Sequence, residues 1–125
     1  MVRGDNLDDN NALVNMPADN WKNKLSYILK DKEIFQNTQF AISSSYVAKQ
    51  FRIEVPEQDF FDMPDAYLLW GASAETSFRI KQNQLIFSLT LENAFNTAYR
   101  DYLDRLRYFS DDIGRNLTFG LQYKF

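Results

Sequence analysis

The residues best suited to chemistry stand close together near the C-terminus. Tyr99, Arg100, Tyr102, Arg105, Arg107 and Tyr108 place phenols and guanidiniums in one short stretch. Tyr and Arg are favoured at recognition surfaces, where each offers a flat, directional group. The stretch is a candidate ligand-contacting loop, although the same residues also suit a loop packed on itself or an aromatic band at a membrane boundary. Acidic clusters at Asp5, Asp8 and Asp9, at Glu57 and Asp59, and at Asp111 and Asp112 offer hard oxygen ligands of the kind calcium takes. The first cluster lacks the glycine that an EF-hand loop requires, and all three read as solvated loop acids.

Catalytic chemistry is poorly served. The chain contains no His and no Cys, which removes the usual neutral-pH base, the thiol nucleophile and the commonest zinc ligands. Ser43, Ser44 and Ser45 therefore have no histidine partner. No pattern brings a pair of carboxylates together on adjoining strands, and there is no P-loop or dinucleotide fingerprint. The expectation is a protein that is not an enzyme, with no catalytic residue, no cofactor and no metal. Asn116-Leu117-Thr118 matches a glycosylation acceptor, but it runs into a strand.

The elements that must position these residues are strands. The final segment, Leu117-Thr118-Phe119-Gly120-Leu121-Gln122-Tyr123-Lys124-Phe125, alternates apolar and small or polar residues to its end. Strand side chains alternate between faces, so the large groups all project one way. Chain termini usually fray, and an aromatic, ordered end is unusual for a soluble domain. It is usual for an outer-membrane barrel, which pairs a lipid-facing apolar row with a polar lumen row.

Four earlier segments alternate similarly. Residues 21–29 put Trp21, Leu25, Tyr27 and Leu29 opposite Lys22, Lys24 and Ser26, although Trp21, Leu25, Ile28 and Leu29 also fit a helical face with Asp19 as its cap. Residues 38–51 set Phe40, Ile42, Ser44 and Tyr46 against Gln39, Ala41, Ser43, Ser45 and Lys49. Residues 67–78 set Leu68, Trp70, Ala72, Ala74 and Phe78 against Gly71, Ser73, Glu75 and Ser77. Residues 85–92 set Leu85, Phe87, Leu89 and Leu91 against Ser88, Thr90 and Glu92. Short links (30–37 and 81–84) alternate with long ones (5–20, 51–65 and 94–116), as in a barrel with tight turns at one end and long loops at the other. Within the last loop, Tyr99, Tyr102, Leu103 and Leu106 suggest a short helical turn that Ser110–Gly114 ends.

Composition is compatible with this reading. The aromatic fraction is 16% and includes eleven Phe and seven Tyr, which suits strands and interfacial girdles. Net charge is -3 with no basic run, which argues against nucleic acid. No stretch approaches the ~20 apolar residues of a membrane helix. Mean hydropathy is negative, as it is when half of each strand is polar. Met1–Asn6 has no apolar core, so a signal peptide for export would lie outside this chain.

Two motifs carry a resemblance. Glu92-Asn93-Ala94-Phe95-Asn96-Thr97-Ala98-Tyr99 resembles the E-N-L-F-N-x-x-Y motif near the C-terminus of TonB-dependent outer-membrane receptors, with Ala94 where Leu is commoner. Gly114-Arg115-Asn116 resembles that family's G-R-N lead-in to its last strand. Asn15-Met16-Pro17-Ala18-Asp19 resembles the start of an earlier descending strand, with Met1–Gly4 as the top of the strand before it.

The resemblance implies an all-β antiparallel meander over residues 1–125, about the last five strands and part of a sixth of a barrel of about twenty-two, with long extracellular loops. It further implies that the plug and upstream strands are absent and that the parent imports a scarce ligand (siderophore, as in iron uptake, vitamin or glycan) with TonB-coupled energy. Lys22, Lys24, Gln39, Ser43, Ser45, Ser88, Thr90, Glu92, Gln122 and Lys124 would then line the lumen or meet the plug. Leu117, Phe119, Leu121, Tyr123 and Phe125 would meet outer-membrane lipid, and Phe119, Leu121, Tyr123 and Phe125 would signal to the barrel assembly machinery. The alternative is a soluble β-sandwich binding module for carbohydrate or protein.

Overall fold

A computed structural model describes residues 5–6, 11–12, 16–51 and 63–125. Met1–Gly4, Asn15, and the acids Asp8, Asp9, Glu57 and Asp59 lie outside the described residues. Two short pieces, β1 (Asp5–Asn6) and β2 (Asn11–Ala12), pair with each other. The main element is one antiparallel sheet of five strands: β3 (Asn20–Ile28), β4 (Phe35–Val47), β5 (Tyr67–Ile80), β6 (Asn83–Glu92) and β7 (Asn116–Lys124). Its order is β3-β4-β5-β6-β7, so each strand pairs with its neighbour in sequence. Among the described residues the sheet does not close, and β3 and β7 are its edges. Among the described residues there is no helix and no second sheet packed on the first, so 21–28 is strand rather than helix, with Leu29 just beyond its end, and a sandwich's two layers are not formed.

Register carries the sequence alternation across the whole sheet. Leu25 opposes Ile42, Ile42 opposes Ala72, Ala72 opposes Leu91 and Leu91 opposes Leu117. One step further along, Tyr27, Phe40, Ala74, Leu89 and Phe119 form the next row. Residues directly opposed in an antiparallel pair share a face, so the large apolar groups of these rows lie together, while Ile28, Leu69 and Ile86 fall on the opposite face. The other face carries Ser26, Ala41, Ser73, Thr90 and Thr118 in one row, and Gln39, Glu75, Ser88 and Gly120 in the next.

Burial is inverted relative to a water-soluble domain. Leu25 is 77% exposed and Phe119 65%, whereas Ser77, on the polar face, is 2% exposed. Among the described residues no large side chain is fully buried and the buried apolar ones are Ala18, Ala41 and Tyr102, so no extended apolar core is enclosed. The two faces also differ in size, with large groups on one side and Ala, Ser, Thr and Gly prevailing on the other. Such asymmetry lets a sheet curl toward its small side.

Two glycines mark how tight that side is. A Cβ on Gly120 would stand 2.3 Å from Ser88 Oγ, and one on Gly71 would stand 2.9 Å from Ser43 Oγ and 3.0 Å from the Leu91 carbonyl oxygen.

Several boundaries differ from the sequence reading. Residues 35–37, read there as link, begin β4. A register shift between Gln36 and Gln39 and a left-handed Asn37 (φ 52°) interrupt the alternation there. Asp31 Oδ1 accepts the Asn37 amide at 2.7 Å, and Ser77 Oγ donates to the Gln36 carbonyl at 2.7 Å, so the bulge is pinned on both sides. β5 continues to Ile80 and turns through Lys81, also left-handed (φ 58°). β7 stops at Lys124, and Phe125 follows it fully exposed, its ring 6.4 Å from that of Tyr123.

Candidate functional site

Two regions gather polar side chains. The first is a cleft of about 520 Å³ on the polar face of β3–β6, bordered by Lys22, Lys24, Ser43, Ser45, Gly71, Ser73, Thr90 and Glu92. The pleat brings these eight residues onto one face, because they follow the period of two and opposed pairs such as Lys24 and Ser43 come into one row. The Lys22 and Lys24 ammonium groups form no ion pair with a described residue. Glu92 Oε2 accepts from Asn116 Nδ2 at 3.2 Å across the β6–β7 end. The cleft brings together most of the polar residues singled out in the sequence. Gln122 and Lys124 stand lower on the same face, opposite Ile86 and Gln84.

The second region is the loop from Asn93 to Arg115. Its base is a clasp between the two sequence motifs. Asn93 adopts a left-handed conformation (φ 46°), is 5% exposed, accepts the Thr97 amide at 2.8 Å and donates to the Thr97 carbonyl at 2.8 Å. Asn96 is also left-handed (φ 55°), and its Oδ1 accepts the Arg115 amide at 2.8 Å. Asn tolerates that conformation better than most residues. Gly114 lies so close that an added Cβ would stand 2.6 Å from Asn96 Oδ1. The motif residues Glu92, Asn93, Asn96, Gly114 and Asn116 thus close the loop at its root. Their chemistry here is structural.

The loop above is tied to itself. Arg100 Nε donates to Asp111 Oδ1 at 2.6 Å and Arg100 Nη1 to the Arg107 carbonyl at 3.0 Å. The Arg107 guanidinium lies 4.6 Å from the Tyr102 ring centroid and 4.5 Å from that of Tyr108, and it donates to the Tyr102 carbonyl and the Tyr108 hydroxyl. Tyr67, at the start of β5, donates to Asp101 Oδ2 at 2.9 Å and packs its ring 4.6 Å from that of Tyr99. The Tyr99 hydroxyl is held above its ordinary pKa, first by burial and then by the Asp112, Asp101 and Glu92 carboxylates. It is therefore a neutral donor near neutral pH and no general base.

Of the six candidate contact residues, Arg100, Arg107 and Tyr108 are engaged within the loop, Tyr102 is buried and Tyr99 is half-buried. Arg105 alone among the six is exposed with no hydrogen bond or ion pair to a described residue. The expected helical turn is instead a run of turns: the Asp104, Arg107 and Phe109 amides each bond a carbonyl three residues back. Asp101 and Asp104 side chains accept the Leu103 and Leu106 amides, each a local bond that competes with helix. Consequently Tyr102 turns inward while Leu103 and Leu106 are exposed, so these residues do not share one face.

Sequence reasoning missed one feature of the apolar face. Its small polar side chains are paired with each other. Trp21 Nε1 donates to Asn23 Oδ1 at 2.8 Å, Asn23 Nδ2 reaches Ser44 Oγ at 3.4 Å, and the Thr38 and Thr76 hydroxyls are 2.7 Å apart. Asn23 and Thr76 interrupt the apolar rows of β3 and β5, and the cross-strand partner that satisfies each is visible only once register is known. Amphipathic rings are also distributed by position. Trp21, Tyr46 and Trp70 stand toward the long-loop ends of their strands and Tyr27 and Tyr123 toward the short-turn ends, with aliphatic residues and Phe prevailing between.

In comparisons with family models, curated proteins and solved structures, the chain matches none.

Proposed function

We propose that this chain is wall from the C-terminal end of a TonB-dependent outer-membrane receptor, working in active uptake of a scarce ligand. In this reading the apolar face meets hydrocarbon, the polar cleft faces the transport lumen or plug, and the tied loop stands on the outer surface. The observation that carries it is the inverted sheet: exposed apolar rows bounded by Trp and Tyr at both strand ends, and a crowded face of small polar groups opposite. Water penalises the first arrangement, and a bilayer rewards it. Pairing of Asn23 with Ser44 and Thr38 with Thr76 supports the same reading, since hydrocarbon offers polar groups no other partner.

The open edges supply the rest. Outer-edge backbone groups of β3 and β7, which no described strand pairs, cannot be left open in hydrocarbon. Five alternating strands leave β3 and β7 running the same way, so head-to-tail repetition of this sheet would meet in parallel at every seam. An antiparallel barrel therefore completes itself with different strands, here the upstream wall of the parent receptor. Outer-membrane lipid, the plug, the barrel assembly machinery and the TonB system (through the parent) are the partners of this reading.

The test is folding in two solvents. The chain is refolded in buffer and in detergent, alone and with added upstream strands of a candidate parent, and protected amides are counted by hydrogen exchange. The proposal expects protection of β4–β6 in detergent and spread to both edge strands when upstream wall is supplied. A monodisperse monomer in buffer with full protection of all five strands would refute it.

A further inference from the structure

The long-loop end of the sheet engages part of its cations. Among the described residues there, Lys49 Nζ lies 2.9 Å from Asp65, Arg100 2.6 Å from Asp111, and Arg107 sits between two rings, whereas Lys22, Arg105 and Arg115 form no ion pair with a described residue. At the short-turn end, Lys30, Lys32, Arg79, Lys81 and Lys124 are all exposed, and none forms an ion pair with a described residue. Lys30 and Lys32 lie in the β3–β4 link and Lys81 in the β5–β6 turn, while Arg79 and Lys124 flank Gln84 in one row of the polar face. Two acids share this end: Asp31, which is bonded to the Asn37 amide, and Glu33.

The apolar face runs directly into this rim. Phe35 and Phe78 pack at 4.8 Å and Phe78 and Phe87 at 5.3 Å, with Ile34 and Ile80 exposed beside them. Unpaired ammonium groups at the border of an exposed apolar, aromatic surface make a site with two demands, hydrocarbon below and negative charge above. Long Lys stems meet both by lying along apolar surface while the head reaches out.

We propose that the short-turn rim, chiefly Lys30, Lys32 and Lys81, binds the phosphate headgroups of anionic phospholipid. The assignment rests on the membrane placement proposed above and adds a lipid preference to it. The occupant is set by charge complementarity and by continuity with the apolar face: a free anion would satisfy the ammonium groups alone, whereas a phospholipid satisfies both. Each basic group near such a surface is worth roughly a fivefold gain in association.

The test is co-flotation of the full chain, diluted from detergent, with vesicles of phosphatidylcholine alone and of phosphatidylcholine mixed with phosphatidylglycerol. The expected result is association with both and a clear preference for the mixed vesicles, lost on the order of a hundredfold in K30Q/K32Q/K81Q. K81Q alone should lose about fivefold, added salt should erode the preference, and inorganic phosphate at matched ionic strength should not compete. K49Q, at the opposite end, should leave the preference within about twofold. Equal association with the two vesicles, or a triple variant that keeps the preference, overturns the headgroup assignment and leaves the membrane placement standing. Failure to associate with either vesicle overturns both.

Discussion

The two faces of one strand, β6, lie in different chemical worlds. Leu85, Phe87, Leu89 and Leu91 sit in rows of large apolar groups across the sheet, while Ser88 and Thr90 sit among small polar ones. On the apolar face, even the interrupting groups Asn23, Ser44, Thr38 and Thr76 are hydrogen-bonded to each other. On the polar face, Lys22 and Lys24 make no ion pair with a described residue, as suits groups that keep their water. The contrast teaches that alternation alone does not say which face is inside. Size and polar satisfaction do: the small face is the crowded one, and the large face is the one whose polar groups have been paired off.

The strongest way to break the comparison is to place one charge on each side of β6. With the chain assembled in lipid, Leu89→Arg should cost about 2–4 kcal/mol, read from the urea midpoint, and Thr90→Arg less than about 0.5 kcal/mol. Equal costs would mean that both faces see the same solvent. A second test concerns crowding. Gly120→Val puts a Cβ where Ser88 Oγ stands, and the overpacking should cost about 1–3 kcal/mol. Adding Ser88→Gly should recover most of that, whereas additive losses would show that the face is looser than described.

The loop end gives smaller effects. Asn93→Ala removes a left-handed residue and both of its bonds to Thr97, which should cost about 1–3 kcal/mol and speed amide exchange from Thr97 to Gly114. Arg107→Gln removes a cation from between two rings, worth about 0.5–2 kcal/mol, and should raise protease cutting after Arg105 without changing exchange in β5 or β6.

Much of this fold is legible in the sequence because the strand period is strict. The apolar rows at 21–27, 40–46, 68–78, 85–91 and 117–123 all fall on the face that alternation assigns. What escaped has local causes. Phe35 belongs to β4 even though Asn37, left-handed and braced by Asp31, breaks the period that would have extended the strand. The Tyr99–Phe109 stretch mimics helical spacing, but Asp101 and Asp104 capture the amides that a helix would use.

Residue type marks the loop candidates but does not reveal engagement: Arg100 and Arg105 look alike in sequence, yet only Arg100 is held by an aspartate. The motif around Glu92 marks a fold feature, since its two asparagines and Gly114 root the loop. The satisfied polar pairs on the apolar face depend on cross-strand register, which a single sequence does not display.

Both tryptophans, Trp21 and Trp70, stand on the apolar face. Their fluorescence in vesicles with brominated acyl chains, set against aqueous acrylamide, asks directly which solvent that face meets. The account predicts strong quenching by the bromolipid and weak quenching by acrylamide. Emission that acrylamide quenches freely and bromolipid leaves untouched would contradict it.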